Sequence, residues 1–239
     1  NIYHYTDVTG FLSIMQNREF WLSHIRFMND KKEFLEGKNI CESTIDNIST
    51  RHLEPQKELL EEIKNCLQND ISTGVFARSS KDVFSISFSH NRDSLDMWRG
   101  YGNNSGIAIG FDFAQCSSIP GFSMMRKEQY EHELKKHNNN PEQMVPSHEI
   151  RLFGTNVIYD KEQKKELISE VLNMGLEHFN FMQSHSPSTS MISARNYLTD
   201  SLFSLFPFIK NEAFKNEEEC RVVENYARST GEVPLNVYY

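Results

Sequence analysis

Positive charge is scarce in this 239-residue chain: 25 Lys and Arg stand against 33 Asp and Glu, a formal net charge of −8. No general basic field would draw it onto duplex nucleic acid or an anionic membrane, so any nucleic-acid contact has to be local. Cysteine is sparse as well. Cys41, Cys66, Cys116 and Cys220 lie far apart and form no C-x-x-C pair, which argues against a disulfide framework or a ribbon-type zinc site. The thiols fit a reducing compartment, so a cytoplasmic address is expected. No apolar run approaches the roughly 18–20 residues of a membrane span, and Asn1 does not open a basic segment followed by an apolar one. No membrane partner is therefore expected. Also missing are G-x-S-x-G, H-E-x-x-H and a Walker A loop, which weakens the commonest hydrolase, zinc and P-loop classes. Gly100, Gly102 and Gly106 do not make G-x-G-x-x-G and precede a strand pattern instead of following one, against a Rossmann site.

What remains is the composition of a folded enzyme-sized domain. Apolar residues make up 38% and charged residues 24% of the chain, enough for one core, and no linker or repeat divides it, so a single domain over 1–239 is expected. Aromatics reach 12%, a supply for both a core and a stacking surface. Asn1 to Thr6 reads as a strand, followed by a helix capped by Thr6 or Asp7 with Phe11, Leu12, Ile14 and Met15 facing inward. Phe20 to Ser23 has strand composition. Phe34, Cys41 and Ile45 recur at helical spacing, and Leu59, Leu60, Ile63 and Leu67 give the clearest amphipathic helix. Val83 to Ser89 alternates Phe84, Ile86 and Phe88 with Ser85, Ser87 and Ser89, the period of a strand. A second strand follows at Gly106 to Asp112, after a turn-rich Gly100 to Ser105. Residues 127–147 read as a surface helix and loop, 157–159 as a short strand, 161–182 and 191–206 as helices, and Cys220 to Val223 as a returning strand. Helices segregated from short strands imply α+β.

Four groups of residues carry candidate chemistry. Glu217-Glu218-Glu219-Cys220-Arg221 enters a strand, where alternation would put Glu217, Glu219 and Arg221 on one face. A carboxylate fixed there can hold a ribose hydroxyl and stabilise a cationic sugar centre, with Arg221 holding the carboxylate; an ordinary ion pair at a solvated strand start is the bland alternative. Tyr3-His4-Tyr5-Thr6 puts an imidazole on the face opposite its two aromatic neighbours, able to donate to a ribose hydroxyl. Met97-Trp98-Arg99-Gly100-Tyr101-Gly102 joins a large ring, a guanidinium and permissive glycines, suited to a phosphate and a flat ring or, more simply, to a core anchor and a turn. Asn29, Asp30 and Glu33 cluster at a helix entrance, where capping is the commoner role.

These stretches, with Trp21-Leu22-Ser23, Phe27-Met28-Asn29-Asp30, Phe84 to Ser89, Ser94 to Gly102, Gly106 to Phe111, Val157 to Tyr159 and Phe214 to Arg221, together resemble a bacterial family known as domain of unknown function 2971. The likeness runs in order along nearly the whole chain, and Cys220 stands where the family leads one to expect an aromatic residue. That family in turn resembles, more distantly, the ADP-ribosyltransferase fold, with an early-strand His or Arg, a middle-strand aromatic or hydroxyl residue and a late-strand Glu. The resemblance implies a split mixed or antiparallel sheet with peripheral helices and NAD as substrate. It further implies that His4 and Thr6 contact a ribose, that Ser85 or Ser87 lies beside the nicotinamide, and that Glu219 holds the reacting ribose 2′-hydroxyl. Ser23, Asn29, Asp30, Trp98 and Arg99 are the other expected NAD contacts, and Tyr5, Trp98 or Tyr101 supplies the stacking. The acceptor would be a macromolecule, protein or nucleic acid, in the setting of a toxin or antiphage defence effector, with an antitoxin among the partners such a role admits. NAD glycohydrolysis is the nearest variant. Two readings from other classes compete: a metal-dependent nuclease using Asp30, Glu33, Glu217 and Glu219, and a non-catalytic module that binds a nucleotide-like ligand through Trp98 and Arg99.

Overall fold

A computed structural model describes residues 1–17, 20–25, 31–72, 81–102, 105–112, 135 and 152–227. The fold is α+β. Strands β1 (Ile2–Thr6), β2 (Ser23–His24), β3 (Lys81–Ser89), β4 (Ile107–Phe111), β5 (Leu152–Asn156) and β6 (Glu219–Ala227) form an open antiparallel sheet in the order β4-β1-β3-β6-β5, with β2 paired to β3 off that path. The α-helices are α1 (Val8–Asn17), α2 (Lys31–Ser49), α3 (Glu54–Ser72), α4 (Leu95–Tyr101), α5 (Lys161–His185) and α6 (Ser190–Leu205). The chain groups into two compact units, the first from Asn1–Trp21, Ile86–Thr155 and Asn216–Glu224, the second from Leu22–Ser85, Asn156–Lys215 and Asn225–Tyr239. Each unit is assembled from stretches far apart in sequence, so no linker composition marks a boundary between them.

In the first unit β1 lies antiparallel to β4, with Ile2 opposite Phe111, Tyr3 opposite Gly110, His4 opposite Ile109 and Thr6 opposite Ile107. On its other side Tyr3 is opposite Ser89 of β3. Asp7 is the cap of α1, its Oδ1 accepting from the Gly10 amide at 2.8 Å. The expected inward face of α1 is not formed: Leu12 is 48% and Met15 57% exposed, and Phe11 and Ile14 are only half-buried. The helix is tied at its first turn instead, where a side chain at Gly10 would meet Thr6 Oγ1. The Gly100 to Ser105 stretch also differs from expectation at its start, because Gly100 and Tyr101 close α4. Ser94 caps that helix by accepting from the Met97 amide at 3.4 Å, and the Gly102 amide returns to the Trp98 carbonyl. Gly100 meets no atom within 4 Å, so an exposed helical glycine reads in sequence like a turn.

The second unit is a helical layer. Cys41 and Ile45 of α2, Leu59, Leu60, Ile63 and Leu67 of α3, Ile168, Leu172, Leu176 and Phe179 of α5, and Ala194, Leu198, Leu202 and Phe203 of α6 form one buried cluster. Each Leu, Ile or Phe side chain among them contributes about 1.5–3 kcal/mol on burial. Gly175 lets α6 approach α5, since a Cβ there would run into Leu198. Lys164, 1% exposed, is paired with Glu36 at 2.5 Å across α5 and α2. The strand expected at 157–159 lies upstream, as β5. Ile158 makes only an isolated parallel bridge to Ile209, because its amide donates to the Phe208 carbonyl and its carbonyl accepts from the Lys210 amide. The expected surface helix over 127–147 lies outside the described residues apart from Lys135.

Candidate functional site

Glu219 opens β6, and its neighbour two residues on, Arg221, shares its face of the strand. The guanidinium grips the carboxylate in a fork, Nε donating to Oε1 at 2.6 Å and the terminal nitrogen to Oε2 at 2.9 Å. Both residues are 2% exposed. A charge-assisted, two-point pair of this kind fixes both the position and the plane of the carboxylate. Glu217 lies outside the strand, contrary to the alternation expected from sequence. It ends a 3-10 turn (Glu212–Glu217), and Glu218 then takes a left-handed backbone, φ 43°, before the strand begins.

The end of β3 sets the entry of β6. Ser89, fully buried, donates its hydroxyl to the Glu217 carbonyl at 2.6 Å, and the His90 amide donates to the Glu218 carbonyl at 2.9 Å. In an antiparallel pair that second bond sets Ser89 abreast of Glu219. With Tyr3 opposite Ser89 and Gly110 opposite Tyr3, one row crosses four strands: Gly110, Tyr3, Ser89, Glu219. Gly110 leaves room in this row for the Tyr3 ring, which a Cβ there would approach to 3.0 Å. Tyr3 itself stays half-exposed.

His4 belongs to the other face. Its ring is edge-on to Phe20 at 5.5 Å and tilted against Phe88 at 5.6 Å, and Phe20 and Phe88 also meet Phe111. Its Nδ1 lies 3.0 Å from the Ser87 carbonyl and so is the protonated nitrogen of the neutral ring. Burial pushes its pKa below the ordinary 6.5, with the Ser87 hydrogen bond opposing. His4 therefore sits neutral in an aromatic setting, and alternation separates it from the face that carries Glu219. Thr6 ends β1, half-buried against Gly10.

Tyr5 shares the face of Tyr3. It is 2% exposed and edge-on to Trp98 at 4.6 Å. Its hydroxyl donates to the Asn91 carbonyl at 2.7 Å and accepts from the Ser94 amide at 2.9 Å. Burial raises its pKa above the ordinary range. Neither Tyr5 nor Trp98 is a free stacking ring. Trp98 donates Nε1 to Asp93 at 2.8 Å, and Gly106 lies so close to its ring that a Cβ there would approach to 2.7 Å. Arg99 is exposed and Tyr101 half-buried on α4.

Ser87 is half-buried on β3, and its carbonyl is already engaged by His4. Ser85 and Ser23 fall in the second unit, where they pair across β3 and β2. Ser85 is 3% exposed, and its hydroxyl finds no hydrogen-bond partner among the described residues. Ser23 is exposed. Asn29 and Asp30 lie outside the described residues, and of the Glu33 side chain nothing is described. Sequence reasoning passed over Tyr3, Ser89 and Asn91. Tyr3 and Ser89 carried a signal, since both fall on the alternation that leads to Glu219; Asn91 carried none.

Among the described residues no group of three or more His, Cys, Asp or Glu could hold a metal ion. No helix is long and apolar enough to cross a membrane among those residues. No curated protein and no solved structure matches the chain. A family model described as "Protein of unknown function (DUF2971)" matches residues 97–222, which takes in α4 from Met97 on, β4 and the Glu219–Arg221 pair and leaves β1 outside. That match covers more than half of the chain, which therefore belongs to the DUF2971 family.

Proposed function

We propose that this protein is a NAD-consuming ADP-ribosyltransferase whose essential carboxylate is Glu219. The observation that supports it is the Glu219–Arg221 fork: a carboxylate immobilised at the start of a strand, in one row with the Ser89 hydroxyl and the half-exposed Tyr3 ring. Transfer needs such a group. The bond between ribose C1′ and nicotinamide breaks with its electron pair leaving on nicotinamide, positive charge develops on the ribose, and a nucleophile of the acceptor bonds to C1′ as it gives up its proton. A fixed carboxylate that holds the ribose 2′-hydroxyl stabilises that charge mainly in the transition state, which is where stabilisation accelerates the step. Arg221 keeps the carboxylate oriented, so little reorganisation is needed as charge develops. In this reading His4 acts from the opposite face, where its hydrogen bond to the Ser87 carbonyl helps fix β1 against β3. Water in place of the acceptor gives the glycohydrolase variant.

The exposed guanidinium of Arg99 beside the half-buried Trp98 favours one other reading, a module that binds a nucleotide-like ligand without turning it over. Incubation with NAD carrying a labelled ADP-ribose group, with and without a cell lysate, separates the two. Label moving to a lysate component supports transfer, free labelled ADP-ribose supports the glycohydrolase, and intact NAD held by the protein supports the binding module.

A further inference from the structure

The hydroxyl of Tyr5 is the head of a continuous set of hydrogen bonds that ends at the backbone on which Glu219 is mounted. It grips the turn after β3 at two points, donating to the Asn91 carbonyl and accepting from the Ser94 amide, the latter at the cap of α4. The same turn is closed by the Asn91 amide on Ser89 Oγ at 3.0 Å and by the Asp93 amide on Asn91 Oδ1 at 2.9 Å. Ser89 Oγ donates its own hydrogen bond to the Glu217 carbonyl, and the His90 amide donates to the Glu218 carbonyl. Those two carbonyls flank the left-handed kink from which β6 starts. Trp98 clamps the far side through Asp93 and the edge of the Tyr5 ring. Tyr5 and Ser89 are buried, so water cannot readily replace a bond that is lost. The connection joins residues far apart in sequence.

We infer that Tyr5 is a positioning residue for Glu219: through the turn at 90–94 its hydroxyl sets the carboxylate's place on β6, without touching the substrate. The inference rests on the transferase reading only for its kinetic consequence. Displacement of a catalytic group by about 1 Å can cost up to about 100-fold in rate, so Tyr5→Phe is expected to lower kcat for nicotinamide release by about tenfold or more with KM for NAD unchanged. Ser89→Ala should do the same, and the double variant should be little worse than the more severe single one, because both cut the same connection.

Amide hydrogen exchange of the whole protein supplies the second readout. Tyr5→Phe should accelerate exchange at His90, whose amide donates to the Glu218 carbonyl, while the helical layer of the second unit stays protected. Acceleration at Ser94 alone, or uniform acceleration along the chain, overturns the inference, as does a variant with native kcat. If the native protein releases no nicotinamide, the transferase reading fails by itself, and exchange at His90 still decides whether Tyr5 positions β6.

Discussion

Replacing Arg221 by Met should be one of the most damaging single changes the sheet can suffer. Glu219 and Arg221 side chains are 1% and 2% exposed and paired at 2.6 Å. The substitution keeps an unbranched side chain but leaves the carboxylate buried with its principal counter-charge gone. For an exposed pair the loss would be about 0–1 kcal/mol. For a buried pair broken on one side it is about 3–5 kcal/mol, because the remaining charge has lost its solvent and its partner together. In a chain of this length that corresponds to a melting point lower by roughly 6–20 °C. Thermal melts followed by circular dichroism would measure it. The double variant Glu219→Gln, Arg221→Met removes both charges and should recover a large part of the loss, as coupled neighbours do. A melting point for Arg221→Met within about 2 °C of the native protein would refute the reasoning, since the pair would then behave as a surface bridge.

Acid should destabilise the fold through His4. Its folded pKa lies below the ordinary 6.5, so its contribution is complete above about 6.5 and is lost as pH falls from there toward the folded value; His4→Phe should flatten the stability profile in that window, measured by urea midpoints from pH 7.5 to 5. In the helical layer, Glu36→Ala strands the charge of Lys164 and should cost about 3–5 kcal/mol, whereas Glu36→Ala with Lys164→Met should cost less, by the same denaturation assay. Burial lifts the Cys41 thiol to about 12 and the Cys220 thiol to about 11, so at pH 8 iodoacetamide should leave both unlabelled in the native protein and label both in urea, as read by peptide mass spectrometry. Labelling of Cys220 under native conditions would mean that β6 opens readily.

The parts of the fold legible in sequence are those where one period dominates. Leu59, Leu60, Ile63 and Leu67 mark α3 because their spacing allows one buried helical face, and all four are buried. The alternation of β3 and the opposition of His4 to Tyr3 and Tyr5 were equally plain. Two kinds of feature were not. One is backbone geometry that residue types do not announce: Glu218 takes a left-handed conformation more usual for Gly or Asn, which interrupts the strand alternation between Glu217 and Glu219. The other is contact across long sequence separations. Ser89 and Glu217 are 128 residues apart, and nothing local to either says that they meet. The same limit explains why His4 and Glu219 looked like companions: their strands are separated only by β3, but which face each presents depends on a register that no single strand contains.

The most direct test of the account is nicotinamide release from NAD by the native protein and by Glu219→Gln, each first confirmed as folded by its melt. Release by the native protein and a loss of about 100-fold or more in the variant is the predicted result, the cost of removing a fixed charge from a transition state that needs it. Release that survives the substitution would contradict the role of Glu219, and no release from the native protein would contradict the transferase reading itself.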